Sequence, residues 1–372
     1  MKKYDIAAYV WPAYTGKELR SRMFWQEGNG EWQSVRTAMP KFEGHQWPRK
    51  PLWGYVDEAD PKVMEMQIEQ ATKHGVNVFI YDWYWYDGRP FLEDCLNDGF
   101  LKAKNNDKMK FYLMWANHDA NHIWNKELSD TECADTVIWK GIVNKQEFEK
   151  LSRRVCDKYF SLDNYYKIDG CPVFMIYDIG NFLAGFANEE EAKAALDKFR
   201  VYVKEKGFPN VHIQFTARGK SVPNMSGVDG TDKAQEDFDR LLQRFCNSFT
   251  YYQFVHMTDI DRDYNDIMVD VENYWEKLEN RAELLHFHHI SCGWDNNPRF
   301  KAFRPGIMKN NTPENFEKAL RIAKKYMDLH PEKTPLLTIN SWNEWTESSY
   351  LQPDDLYGYG YLEAIKKVFL DE

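Results

Sequence analysis

Eight short runs rich in β-branched and aromatic residues recur along the chain, and the alternation of these runs with helical patterns limits the fold more than any other feature. The runs cover residues 4–11, 76–83, 110–116, 172–178, 211–217, 248–255, 288–293 and 335–341. Several are almost continuously apolar, as strands covered on both faces must be. Between them, residues 61–74, 145–160, 189–206, 233–247, 266–285 and 313–330 carry helical periodicity. Gly75 stands where a helix stop belongs, and Pro61 and Pro313 stand near helix starts, where a missing N–H costs little. Strands alternating with helices imply βαβ units and a parallel sheet. Eight of them favour an α/β fold of the (β/α)8 TIM-barrel type over an open doubly wound sheet. An open sheet usually carries fewer strands and a glycine-rich phosphate turn, and neither G-x-G-x-x-G nor G-x-x-x-x-G-K occurs. The flanks of the sixth run read equally as helix. No internal repeat or low-complexity linker divides the chain, so one barrel domain over residues 1–372 is expected, with long βα-loop insertions. The first insertion, residues 12–60, holds Trp25, Trp32, Trp47 and Trp53; the second, 116–141, holds His118, Asp119, His122 and Trp124. Loops of that length are usually functional, and βα loops gather at the C-terminal mouth of such a barrel.

Composition narrows the partners. With 58 acidic against 48 basic residues, the net charge of −10 excludes a basic nucleic-acid binder as the default. The 14 Trp and 22 Tyr exceed the needs of a core, and a flat apolar face with a polar tip suits sugar rings. No run approaches the roughly 18 apolar residues of a membrane span. The apolar stretch at the start is broken by Asp5 and too short for a signal-peptide core, so a cytoplasmic location is the default expectation. A periplasmic or extracellular one applies if a leader has been removed. Six scattered cysteines without a CxxC pair read as reduced thiols.

The chemistry concentrates after the eighth run. The apolar stretch 335–339 leads directly into Asn340, Trp342, Asn343, Glu344, Trp345 and Glu347, at the strand end where barrel enzymes place reactive groups. Two carboxylates three residues apart point to opposite faces of a straight strand, but share a face if the chain turns helically after Glu344. Such a pair serves glycoside hydrolysis, one acid protonating the leaving oxygen while its partner acts as base or nucleophile. Asn343 and Trp345 flank the pair as substrate contacts. Asp82 and Asp295 fall at strand ends among aromatic residues and are candidates for sugar hydroxyls, with Asn117, His118 and Tyr177 at the third and fourth strand ends. Tyr9, Trp11, Trp83, Trp85, Trp115 and Trp294 are candidate stacking platforms. His45 and Arg49 in the long loop are candidate mouth residues. His118 and His122 lie four apart, without a Glu between them or a third ligand, so no metal and no cofactor are expected.

At these residues the sequence resembles the WbsX family, whose members are named as glycosyltransferases and which is similar to the glycoside hydrolase family 99 endo-α-mannosidases. The resemblance covers almost the whole chain. It runs through Tyr9-Val-Trp-Pro12, Glu31-Trp32, Phe42-Glu-Gly-His45, Pro48-Arg49 and Tyr81-Asp-Trp-Tyr-Trp85. It continues through Trp115-Ala-Asn117, Gly293-Trp-Asp-Asn296, Pro298-Arg299 and Asn343-Glu-Trp-Thr-Glu347. The resemblance implies a (β/α)8 barrel acting on an oligosaccharide or polysaccharide, with Glu344 matching the base of the family 99 enzymes and Glu347 the acid. It also implies participation of the sugar's 2-hydroxyl, through a 1,2-anhydro intermediate, with net retention. Three positions depart from the WbsX pattern: Ser348 replaces a Gly, Gln352 a Glu, and His118 a common Glu. They bear on substrate identity rather than fold. The function expected is an endo-acting, retaining glycoside hydrolase for an α-linked, manno-configured or similar glycan. Its rivals are a glycosyltransferase of polysaccharide (O-antigen-type) biosynthesis and a non-catalytic carbohydrate-binding protein.

Overall fold

In the computed structural model, which describes residues 4–217, 232–279 and 285–371, each of the eight runs overlaps one strand of a single curved sheet. The strands are β1 (Asp5–Val10), β2 (Val78–Tyr86), β3 (Lys110–Trp115) and β4 (Cys171–Ile176), then β5 (His212–Thr216), β6 (Ser248–Thr250), β7 (His289–Ser291) and β8 (Leu336–Asn340). Neighbours pair in parallel in the order β6-β5-β4-β3-β2-β1-β8-β7. A parallel bridge between Phe249 and His286 spans the remaining seam. The result is a (β/α)8 TIM barrel. The sixth run, expected over 248–255, keeps only three residues in the sheet. Beyond Thr250 the chain departs, placing Tyr251 and Tyr252 toward other partners before a tight turn at Phe254–His256 that Gln253 caps.

The outer layer comprises α1 (Pro61–Lys73), α2 (Lys145–Val155), α3 (Glu189–Glu205), α4 (Asp232–Phe245), α5 (Tyr264–Glu279), α6 (Pro313–Leu329) and α7 (Gly360–Phe369). Their starts follow local chemistry. The side chains of Asp60, Asn144, Asn188 and Thr312 each accept a hydrogen bond from a backbone N–H in the first turn of α1, α2, α3 and α6. Gly75 ends the first crossover at φ +96°, a conformation costly for residues with a Cβ. The helix expected to Leu285 begins at Tyr264, and its last residues, 280–284, lie outside the described residues. The expected helix over 145–160 gives way after Val155 to a wider turn, Cys156–Phe160. Helix α7 was not among the expected helices. The crossover from β2 to β3 lacks a regular α-helix and uses the turns Cys95–Gly99 and Phe100–Lys102.

Every residue of β2 is buried, because one side faces the barrel axis and the other the helices. All six cysteines are unpaired. Among the described residues, no helix is long and apolar enough to cross a membrane.

At the C-terminal mouth, three long loops brace one another. Lys41 Nζ, in the β1–α1 loop, donates to the carbonyls of Phe300 and Lys301 at 2.7 Å each. Lys126 Nζ, in the loop after β3, donates to the Thr37 carbonyl at 2.7 Å, and Ser129 Oγ donates to the Arg299 carbonyl at 2.8 Å. Lysine ammonium groups with several carbonyl partners fasten irregular backbone that no ladder can hold.

Candidate active site

Beyond β8 the chain forms a two-residue strand, Asn343–Glu344, then a single tight turn, Trp345–Glu347. That turn brings both acids onto one side, where Glu344 and Glu347 line the same cavity of about 350 Å³ at the barrel mouth. Asn343 sets the turn. Its Oδ1 accepts from the Trp11 N–H at 2.8 Å, and its Nδ2 donates to the Trp11 carbonyl at 2.9 Å, so the start of the turn is bonded to the end of β1.

One guanidinium serves three carboxylates. Arg299 Nη1 lies 2.5 Å from Glu347 Oε1, Nη2 lies 3.2 Å from Glu344 Oε1, and Nε lies 3.2 Å from Glu31 Oε1. Trp11 Nε1 donates to the other Glu31 oxygen at 2.5 Å. A fourth carboxylate, Asp82, faces the pair through Tyr252, whose hydroxyl lies 2.9 Å from Asp82 Oδ2 and 2.9 Å from Glu344 Oε2. A phenol carries one proton and can donate it once. Both short contacts are satisfied if Asp82 holds a proton and donates to Tyr252, which in turn donates to Glu344. Burial, reinforced by the Glu344 charge, raises Asp82 well above the ordinary carboxylate range, in agreement with that arrangement.

Four buried carboxylates around one cation cannot all ionise cheaply. Burial and then the charge of Glu344 push Glu347 well above its ordinary value, against the pull of Arg299. Burial raises Glu31 as well, against Arg299 and the Trp11 N–H. Glu347 Oε2 is buried with no hydrogen-bond partner, as is Asp82 Oδ1. The site thus sets Glu344, which accepts from Arg299 and Tyr252, beside Glu347, whose pKa burial raises and whose Oε2 has no hydrogen-bond partner. Removing the bridging hydroxyl in Tyr252→Phe leaves Asp82 and Glu344 to face each other directly. This is expected to lower stability by about 1–3 kcal/mol in urea unfolding, the cost of buried polar groups losing a partner.

The other residues singled out in the sequence divide by strand parity. Trp11, Asp82, His118 and Tyr177 line the cavity. Trp83 and Trp85 do not, since on β2 the side chains alternate and Asp82 and Tyr84 take the inner face. Trp83 Nε1 donates to Glu93 at 2.8 Å and Trp85 Nε1 to Glu147 at 2.9 Å, both on the helical side. Trp115 likewise packs outward on Phe148 of α2. Tyr9 faces inward but lies deeper, its hydroxyl donating to the Tyr251 carbonyl at 2.9 Å. Asn117 is bonded to both backbone groups of Asp178, and Trp345 stacks on Tyr350 with Nε1 donating to Gln352. Asn117, Asn343 and Trp345 therefore shape the frame rather than the cavity wall. His45, Arg49, Trp294 and Asp295 line a second cavity of about 420 Å³. Of the three departures from the family pattern, His118 lines the first cavity, Ser348 the second, and Gln352 neither. Gln352 Nε2 instead donates to Glu58 at 3.0 Å, a carboxyl that burial pushes up to about 7.

Sequence reasoning did not single out Arg299, Glu31, Tyr252 or Tyr84. Tyr84 was accessible from parity, two residues beyond Asp82. Glu31 and Arg299 lie in loops without periodicity, and their only signal was their place in the family motifs.

The model of the family described as Glycosyltransferase WbsX matches residues 6–365. The chain belongs to the WbsX family. Two curated relatives, each described as uncharacterized protein WxcX, come from two strains of Xanthomonas campestris pv. campestris; each is 24% identical over 349 residues. The match covers 92% of this WbsX chain but 46% of each relative, so the chain spans about half the length of the curated relatives it matches. Among solved structures, one described as a glycoside hydrolase-like protein superposes with a TM-score of 0.62 at 14% identity, covering 99% of this chain and 94% of that one. The GH99 endo-alpha-mannosidase from Bacteroides thetaiotaomicron superposes with a TM-score of 0.60 at 13% identity, covering 98% and 96%. At these identities the likeness is one of fold: this WbsX protein has a glycosidase-like barrel.

Proposed function

We propose that the protein is a glycoside hydrolase that cleaves within a glycan at an α-linked, manno-configured or similar sugar, with retention. The observation that carries this reading is the shared cavity of Glu344 and Glu347, in which Glu344 accepts from Arg299 and Tyr252 and burial raises the pKa of Glu347. In the first step Glu344 takes the proton of the sugar's 2-hydroxyl, and that oxygen bonds to the anomeric carbon. The glycosidic C–O bond breaks as its oxygen takes the proton of Glu347. In the second step water adds to the anomeric carbon, returning a proton to Glu347, while the 1,2-anhydro bond opens and its oxygen recovers the proton from Glu344. No carboxylate bonds to the sugar, so the carboxylate spacing usual for a retaining enzyme is not required. Rings of Trp11, Tyr84, Trp124 and Tyr177 wall the cavity and supply the apolar faces a pyranose needs. The resemblance to family 99 supports the same reading.

The family's name favours a second reading, transfer from a sugar nucleotide. The lining weighs against it: Asp82, Asp119, Glu344 and Glu347 line the wall, and each nitrogen of Arg299 already faces a carboxyl group. A diphosphate would have to compete with three carboxyl groups for that guanidinium. Incubation with α-linked oligosaccharides, followed by NMR of the fresh product anomer, separates the two; nucleotide release from a sugar nucleotide without hydrolysis would overturn the hydrolase reading.

The pH profile gives a further check. Glu347 must carry its proton to act as acid, and its raised pKa places the loss of that proton on the alkaline side of the ordinary carboxylate range. kcat/KM is therefore expected to fall as pH rises through that value. In Glu347→Gln this alkaline limb should vanish from the residual activity.

A further inference from the structure

The segment that carries the two acids is held from beneath by a carboxyl outside both cavities. Glu58, near the end of the β1–α1 loop, is fully buried and lines neither cavity. Its Oε1 accepts from Gln67 Nε2 of α1 and from Gln352 Nε2, each at 3.0 Å. Its Oε2 accepts from Asn343 Nδ2 at 2.8 Å and from the Cys95 thiol at 3.9 Å. From these partners the contacts lead to the residues on either side of Glu344. Trp342 Nε1 donates to Gln67 Oε1 at 2.8 Å, Trp345 Nε1 donates to Gln352 Oε1 at 2.7 Å, and Asn343 carries the two bonds to Trp11. One carboxyl thus gathers Trp342, Asn343 and Trp345, the chain neighbours of the proposed base.

The polarity of this network is fixed. An indole N–H can only donate, so the side-chain oxygens of Gln67 and Gln352 face the two tryptophans and their NH2 groups face Glu58. The Trp11 N–H orients Asn343 in the same sense. Two donors on each oxygen fill the acceptor sites of an ionised carboxylate, and a proton on either oxygen has to displace one of them.

We infer that Glu58 is a positioning residue for Glu344, holding the segment that carries the base in place only while it is ionised. This rests on the proposed role of Glu344. Glu58 acts through Asn343, Gln67 and Gln352 rather than on the substrate. Burial, with the like charge of Asp57 adding to it, pushes the carboxyl up to about 7 against the pull of the three amide donors. The other titratable groups beside it, the Cys95 thiol and the Tyr14 and Tyr81 phenols, are raised by burial and stay neutral there. Glu58 is therefore the group that changes charge near neutrality, and its protonation expels a donor and loosens the segment. The departure at Gln352 bears on this. A Glu, as in the WbsX pattern, would set a second carboxyl against Glu58 Oε1, and the two would share a proton. With an amide there instead, the charge state of the network rests on Glu58.

The test follows the segment and the rate separately. In protein carrying isotope-labelled tryptophan, the indole NMR signals of Trp342 and Trp345, assigned through Trp342→Phe and Trp345→Phe, are expected to shift with a midpoint of about 7, and Glu58→Gln should abolish that shift. On an α-linked oligosaccharide, kcat of the parent should fall as pH drops through the same midpoint. In Glu58→Gln, kcat should be lower by about 10–100-fold, the scale of a small misplacement of a reacting group, and the fall centred on that midpoint should be missing. KM should stay at the parental value, since Glu58 lines neither cavity. Glu58→Asp keeps the charge one methylene further back and should recover part of kcat together with the pH-dependent fall. Thermal unfolding shows whether each variant is folded; should Glu58→Gln fail to fold, the indole titration of the parent and the profile of Glu58→Asp decide. Indole signals that stay fixed through neutrality, or a Glu58→Gln protein with parental kcat and pH profile, overturn the inference and leave the hydrolase reading standing. If the indoles titrate but the parent cleaves no α-linked glycan, the hydrolase reading fails, and the positioning role with it.

Discussion

Replacing Glu344 by Gln is expected to lower kcat on an α-linked oligosaccharide by about 10²–10⁴-fold, and Glu347→Gln by a similar factor, the range for loss of a positioned acid or base. The two losses should differ in kind. Burial and then the charge of Glu344 raise Glu347, which favours its neutral form, and an amide reproduces the shape and charge of that form. Unfolding of Glu347→Gln should therefore lie within about 0.5 kcal/mol of the parent, the usual span for a substitution without a named structural defect. An activated aryl leaving group, which departs without a proton, should rescue Glu347→Gln and leave Glu344→Gln inactive, since the 2-hydroxyl still needs a base. Near-parental rates on a natural linkage in either variant would remove that residue from the mechanism.

Arg299→Met should be the most damaging substitution for stability. The guanidinium contacts Glu31, Glu344 and Glu347 at once, and the side chain is largely buried, so its removal leaves three buried carboxyl groups without their cation. Breaking a buried pair from one side costs about 3–5 kcal/mol. The sign of the pH dependence follows from linkage. Burial already holds Glu31 and Glu347 above their unfolded values of about 4.3 against the pull of Arg299, and without Arg299 both rise further. Groups raised in this way leave stability intact below the unfolded pKa and remove it as pH rises through the folded one. The deficit of Arg299→Met against the parent should be small near pH 4 and widen toward neutrality in denaturant titrations. A deficit independent of pH would show that the loss is one of packing rather than charge.

How much of this was legible in the sequence depends on periodicity. The eight runs each overlap a strand because an apolar run covered on both faces leaves a mark that local context seldom erases. The pair Glu344 and Glu347 was legible as a condition: one face if the chain turned, and the tight turn at Trp345–Glu347 satisfies it. Trp83, Trp85 and Trp115 misled because aromatic character does not say which side of a strand a ring takes; parity does, and Asp82 had already claimed the inner face. Asn343 and Trp345 sit beside the acids in sequence, yet their side chains bond to Trp11 and Gln352, contacts between distant segments that no local pattern encodes. Arg299 and Glu31 come from separate loops, where charge carries no period, so their meeting could be seen only in three dimensions.

The bracing of the mouth loops bears on how such a site can diverge. Arg299 reaches the acids from one loop, its carbonyl is caught by Ser129 from another, and its guanidinium is flanked by Glu31 from a third. Transplanting any single loop from a relative would strand partners in the other two. Exchange of substrate preference between members of the family should therefore require all three segments to travel together, as one inherited unit.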